Sequence, residues 1–108
     1  MRVFIRDAGG MKVEAWVEDW IPGTSDFQVV SKAKCIVMGK KCLIDTLDTP
    51  VKFQKKGYAT AIVKELQKYF DEVAPIGIVP SAVGFWAKFN MTDALGPEDY
   101  ENSYHRKP

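Results

Sequence analysis

The segment Gln54-Lys55-Lys56-Gly57-Tyr58-Ala59-Thr60 separates two halves of the chain that differ in hydrophobic period. Upstream, apolar residues alternate with polar ones or come in short runs, which is how strands read. Downstream, Ala59, Ile62, Val63, Leu66, Tyr69, Phe70 and Val73 recur at spacings of three and four, with Lys64, Glu65, Gln67, Lys68, Asp71 and Glu72 between them. That spacing predicts an amphipathic helix over residues 59–73, ended by Pro75. The segment is therefore a loop that leads a strand into a helix start. Such a start leaves backbone N–H groups unpaired and carries partial positive charge, so it attracts anions. Gly57 removes a side chain where a ligand would approach the backbone, Ala59 stays small, and Lys55 and Lys56 add charge in front. The loop suits a pyrophosphate.

Upstream of the loop, Val3-Phe4-Ile5 is a short apolar run ended by the turn signal Asp7-Ala8-Gly9-Gly10. From Lys12 to Trp20 the chain alternates, with Val13, Ala15 and Val17 on one side and Glu14, Trp16 and Glu18 on the other. Pro22-Gly23 breaks it, and Phe27-Gln28-Val29-Val30 reads as a further strand. Cys35-Ile36-Val37 and Cys42-Leu43-Ile44, separated by Met38-Gly39-Lys40-Lys41, suggest a hairpin. An antiparallel meander of four or five strands is expected. Downstream of the helix, Ile76-Gly77-Ile78-Val79 reads as a short buried strand. A second helix is expected from Pro80-Ser81, with Ser81 as cap and Ala82, Phe85, Trp86 and Phe89 on one face. Residues 95–108 form a polar tail.

The 108 residues and 12.2 kDa correspond to one domain spanning residues 1–108. A folded chain of this mass buries about two-thirds of its open surface, enough for a core without disulfides or metal. Apolar residues make up 46% and charged residues 27%, an ordinary globular composition. Fifteen Lys and Arg against fourteen Asp and Glu leave a formal charge of +1. That charge provides no general field for nucleic acid or an anionic membrane, and neither is expected as a partner. No apolar run reaches the ~20 residues of a membrane-spanning helix, and the N-terminal segment is too short in apolar core for a signal peptide. Cys35 and Cys42 do not make a disulfide framework, and one lone histidine, His105, gives no zinc site. A reduced, cytoplasmic setting is expected.

The pattern Gln54-x-x-Gly57-x-Ala59, after a strand and before a long amphipathic helix, resembles the acetyl-CoA signature of the GNAT superfamily of N-acetyltransferases. Farther on, Ala82-Val83-Gly84-Phe85-Trp86-Ala87-Lys88-Phe89-Asn90-Met91 is similar to the second motif of that family, with Phe85-Trp86 as its aromatic pair and Lys88 in place. The resemblance covers roughly residues 33–91. It implies an α+β (α/β-like) fold with a mixed, mainly antiparallel sheet, on which one long and one short helix pack. It also implies acetyl-CoA as cosubstrate and a primary amine of a small molecule or protein as acceptor. Backbone amides of Lys55, Lys56, Gly57, Tyr58, Ala59 and Thr60 would hold the pyrophosphate, with Gln54 in the same loop. Residues 47–51, including Leu47, Thr49 and Val51, would pair with pantetheine, and Trp86 would join the cofactor contacts. Asp45 and Asp48 are the candidate bases.

Three departures accompany the resemblance. Trp86 occupies the position where the family commonly carries an acid tyrosine, and an indole N–H cannot donate a proton at useful pKa. Tyr104, or Tyr100, would then have to supply the acid from the tail. Asn90-Met91 replace the usual Gly-Phe. The span between Ile5 and Phe27 has no good helix, although family members usually place two helices there beside the acceptor. A non-catalytic protein of the same fold, acting as a structural or regulatory partner, is the alternative reading. Trp16 and Trp20 are expected to pack on the sheet face, Cys35 and Cys42 to behave as buried small hydrophobes, and a homodimer is open to such a fold.

Overall fold

The computed structural model describes residues 1–91, and Tyr100, Tyr104, His105 and the rest of the expected tail lie outside the described residues. Alternation in the first half produces four strands: β1 (Arg2–Gly9), β2 (Lys12–Trp20), β3 (Phe27–Met38) and β4 (Lys41–Asp48). They pair antiparallel in sequence order, and a fifth strand, β5 (Glu72–Pro75), adds parallel to β4. The β1–β2 turn is tight because Gly9, Gly10 and Met11 all take positive φ. Asp7 Oδ1 supports that turn by accepting the Gly9 amide at 2.8 Å.

The alternation also sets the inner face. Ala15 lies opposite Ala33, Val17 opposite Ser31 and Cys35 opposite Ile44, and all six are buried. Helix α1 (Tyr58–Tyr69) lays Ile62, Val63 and Leu66 on this face, each fully buried. The result is an α+β domain with a five-stranded, mostly antiparallel sheet and two helices, matching the expected class.

Three element boundaries differ from the sequence expectation. The runs expected as separate strands at residues 27–30 and 35–37 are one strand of twelve residues, β3. Ser31 and Ala33 lie on its buried side and Lys32 and Lys34 on its exposed side, and a bulge at Val30, buried next to buried Ser31, shifts the alternation within a stretch too polar to stand out. The helix ends at Tyr69, not Val73. Phe70 is already extended (φ −121°, ψ 140°), its amide closes on the Leu66 carbonyl at 3.0 Å, and Asp71 N–H donates to the Lys40 carbonyl at 2.9 Å. Val73 is therefore a strand residue opposite Cys42, and its apolar side chain serves β5 rather than α1. The expected strand at residues 76–79 is displaced four residues upstream for the same reason, and Gly77, with φ 71°, interrupts any extension of it.

After β5, a turn of 3-10 helix (Pro80–Ala82) leads into the short α2 (Val83–Ala87). Ser81 lies inside that turn, and its side chain caps neither helix. Trp86 is 5% exposed and belongs to the main core, with Phe85 edge-on at 4.9 Å. Ala82, Phe85 and Phe89 pack against the same core, as the shared face predicts.

Candidate functional site

Strand β4 is longer than its parallel partner. Pairing with β5 runs from Lys41↔Glu72 to Ile44↔Pro75 and closes with the Ile76 amide on the Ile44 carbonyl at 3.0 Å. Beyond that point β4 continues through Asp45-Thr46-Leu47-Asp48 with no pairing to β5. The parallel ladder ends there, four residues before the end of β4. Asp45 marks the fork. It is the extra residue of a β-bulge, because Cys35 pairs with Ile44 and Lys34 with Thr46, and it is exposed. Bulges re-aim side chains and end regular pairing, so Asp45 projects where the strands part.

The loop that follows is tied at both ends. Buried Ser31 on β3 meets Thr49 through their hydroxyls at 2.7 Å, and the Gln54 side-chain amide donates to the Thr49 carbonyl at 2.9 Å. Between them, Val51–Phe53 form one 3-10 turn with Phe53 buried beneath it. Gln54 is thus a loop brace, which is the local reason a glutamine serves at that place. Lys55 and Gly57 both adopt positive φ, 64° and 83°, on either side of Lys56. Alternating left-handed residues turn successive amides to one side and form an anion-binding concavity.

Helix α1 opens directly on this turn. The first amide to close an intrahelical bond is that of Ala61, to the Gly57 carbonyl at 3.0 Å. The amides of Tyr58, Ala59 and Thr60 precede it, with no side-chain cap and no acidic residue in the first turn. A Cβ built on Gly57 would meet nothing within 4 Å, so the space before the helix is open. Lys55, Lys56 and Gly57 are exposed. These groups fit a pyrophosphate: unpaired donors, positive helix end, two cations and room.

The other predicted residues divide. Leu47 is half-buried and inward-facing, Thr49 is engaged by Ser31 and Gln54, and Val51 is 86% exposed at the mouth of the loop. Asp48 is exposed, and its carbonyl accepts from Ser31 Oγ at 3.4 Å. The Tyr58 backbone stands at the helix start, but its side chain turns inward and donates to Asp19 Oδ2 at 2.6 Å. Trp86 is enclosed in the core, so its indole is largely withdrawn from solvent. Tyr104 lies outside the described residues.

Asp19 is the residue that sequence reading missed. It accepts from Tyr58 on one oxygen and pairs with the Met1 amino group on the other at 3.2 Å. The Tyr58 hydrogen bond is the main cause of a lowered Asp19 pKa, and the same bond raises that of Tyr58. Its only sequence signal was a lone carboxylate at the end of an alternating strand, thirty-nine positions from its partner.

The cysteines match their expectation. Both are buried on the inner face, and the Cys35 thiol is pushed up by its contact with Cys42 and by burial, which makes it a poor nucleophile. Trp16 stacks on Phe4 at 5.4 Å on the outer sheet face and donates to Glu18 at 2.9 Å. Trp20 lies edge-on to Phe27 at 5.8 Å and is half exposed. Among the described residues no group of three or more His, Cys, Asp or Glu could hold a metal ion, and no helix is long and apolar enough to cross a membrane. No protein-family model matches the chain, and no curated protein matches it.

Proposed function

We propose that the chain is an N-acetyltransferase of the GNAT type, which binds acetyl-CoA and passes the acetyl group to a primary amine of a small molecule or protein. One observation carries this reading. A strand that outruns its parallel neighbour, bulges at the fork and turns through two left-handed residues into an uncapped helix start offers a continuous slot. That slot has donors for a pyrophosphate at one end and, for an amide-bearing arm, the stretch of β4 beyond its ladder with β5.

Within this reading, the amides of residues 55–60 bind the diphosphate, with Lys55 and Lys56 in support. The edge of residues 45–48 pairs with the pantetheine amides, and Val51 lies at the mouth. Acetyl-CoA supplies a thioester carbonyl at the fork, open to attack by the amine. Asp45, exposed at that fork, takes the amine proton as the C–N bond forms, with Asp48, three residues nearer the loop, as the second candidate; the C–S bond breaks and CoA leaves as a thiolate that takes its proton from solvent. Positioning contributes much of the rate of such a transfer, so the want of a phenol at Trp86 lowers activity without removing it. Free cysteines support a reduced, cytoplasmic setting for this enzyme.

A second reading has one observation in its favour: Trp86 is a core residue in place of an acid tyrosine, consistent with a fold that keeps the cofactor slot and acts as a binding or regulatory partner.

Calorimetric titration with acetyl-CoA tests both. The wild-type chain binds, and Gly57→Glu, which places a carboxylate before the helix start, abolishes binding while the far-ultraviolet spectrum is retained. No heat from the wild type at millimolar-range ligand sinks the cofactor reading. Binding without thioester consumption across polyamines, aminoglycosides and peptide amines selects the regulatory one.

A further inference from the structure

Strand β3 borders β4 on the side away from β5. Beside the stretch of β4 that lies beyond its ladder with β5, Lys34 pairs with Thr46 and Lys32 with Asp48, and the bulged Asp45 precedes Thr46. Ala33 and Cys35 are buried in the core, so Lys34 between them projects from the opposite side of the sheet, where it is exposed. The lysines around this stretch differ in what holds them. Glu14 faces Lys34 directly from β2, but its oxygens are taken by Arg6 at 2.8 Å and by Lys32 at 3.0 Å. Lys41, at the paired end of β4, lies 3.4 Å from Glu72. Among the described residues the Lys34 ammonium has no ion pair and no hydrogen bond. A lysine's flexible four-carbon stem spans one strand spacing, about 4.8 Å, so this amine can be laid across β4 to the fork.

We propose that Lys34 is a modification site at which the chain acetylates itself, its Nζ taking the acetyl group from acetyl-CoA held in the slot. The inference rests on the reading of the slot given above and names an acceptor within the chain. Lys34 enters the reaction as the free amine, having given one proton to solvent. Its Nζ attacks the thioester carbonyl, and the C–N bond forms as the C–S bond breaks. Asp45, beside Thr46 on the facing strand, takes the second proton, and CoA leaves as a thiolate that takes its proton from solvent. The product is an Nε-acetyl-lysine and free CoA. Amine and thioester are held on adjacent strands of one chain, so the step is first-order in the complex and gains from proximity. Lys32 also borders the slot, but it would first have to leave Glu14. Lys41 stands where β4 and β5 are still paired, away from the opening.

Incubation of the whole chain with acetyl-CoA, followed by tandem mass spectrometry of its peptides, locates the acetyl groups. Lys34 should be acetylated at least about tenfold faster than Lys12 and Lys64, which are exposed and equally unpaired but stand on β2 and α1. The rate per chain should not change with protein concentration, and Gly57→Glu should reduce it to that of the two comparison lysines. CoA itself, which carries no acetyl group, gives a readout without transfer. Saturating CoA should slow trace labelling of Lys34 by acetic anhydride and leave Lys12 and Lys64 unchanged. Calorimetry separates the two ways of failing. A chain that binds no acetyl-CoA removes the slot and this inference together. A chain that binds it, yet acetylates Lys34 no faster than Lys12 and Lys64, overturns this inference alone. So does anhydride labelling of Lys34 that CoA leaves unchanged, or a rate that rises with protein concentration and so marks transfer between chains.

Discussion

Tyr58 combines two tasks in one residue. Its amide belongs to the open start of α1, and its hydroxyl reaches Asp19 at the far end of β2 at 2.6 Å. The helix start is thereby held by a side chain that the proposed slot would not use. Protonation limits the bond from both directions. The lowered Asp19 pKa means that this residue contributes stability above the ordinary carboxylate range and loses it as pH falls through the lowered value. The raised Tyr58 pKa means that its contribution is complete below the ordinary phenol range, near pH 10, and is lost as pH rises through the raised value. Tyr58→Phe should lower Tm by a constant amount between about pH 5 and 9, and the difference from wild type should shrink at both extremes. Thermal melts across pH read this directly; a difference that is flat to pH 2 or absent at pH 7 would exclude the Asp19 bond as its source. On the outer face Glu14 is held at about pKa 2 by Arg6 and by Lys32, whose nitrogens lie 2.8 and 3.0 Å away, so it stays charged far into the acid range.

At the scale of elements, α1 stands on three side chains with no exposure: Ile62, Val63 and Leu66. Leu66→Ala leaves a cavity against the inner sheet face and should cost about 2–5 kcal/mol in urea denaturation. Lys64→Ala, on the solvent side, should stay within about 0.5 kcal/mol. The periodicity made this helix legible, because a three- and four-residue rhythm is the direct imprint of one buried stripe. Its end was not legible. Tyr69, Phe70 and Val73 keep the rhythm by coincidence, since Val73 is buried by a strand, and what stops the helix is a carbonyl of Lys40 some thirty residues upstream. Long-range hydrogen bonds of that kind leave no local mark. The bulge at Asp45 was hidden for the same reason: it exists only relative to the register of Lys34 and Cys35 across the sheet. The phosphate-type loop stood out because Gly57 and the neighbouring lysines are local chemistry. That Gln54 braces Thr49 and that Lys55 turns left-handed are consequences of closure, which spacing alone does not encode.

For the molecule as a whole, β1 to β4 form consecutive antiparallel hairpins, each strand paired with its sequence neighbour, while β5 reaches the sheet only after the helix has crossed over. The expected shortage of helices between Ile5 and Phe27 is met by β2 and a turn, so the outer face of β1–β3 carries Phe4, Trp16, Trp20 and Phe27 instead of a helical layer. The parallel junction also makes the protein uneven. Four register pairs attach β5, against nine between β2 and β3. The last described segment, residues 72–91, should therefore behave as a separate cooperative unit that opens without global unfolding. Native-state hydrogen exchange would read this as amides of residues 72–91 sharing one opening free energy well below that of β2 and β3; a single shared value for both regions would show a chain that opens only as one. In such an opening the short pairing at the fork would serve as the hinge, and the width of the proposed slot would follow it.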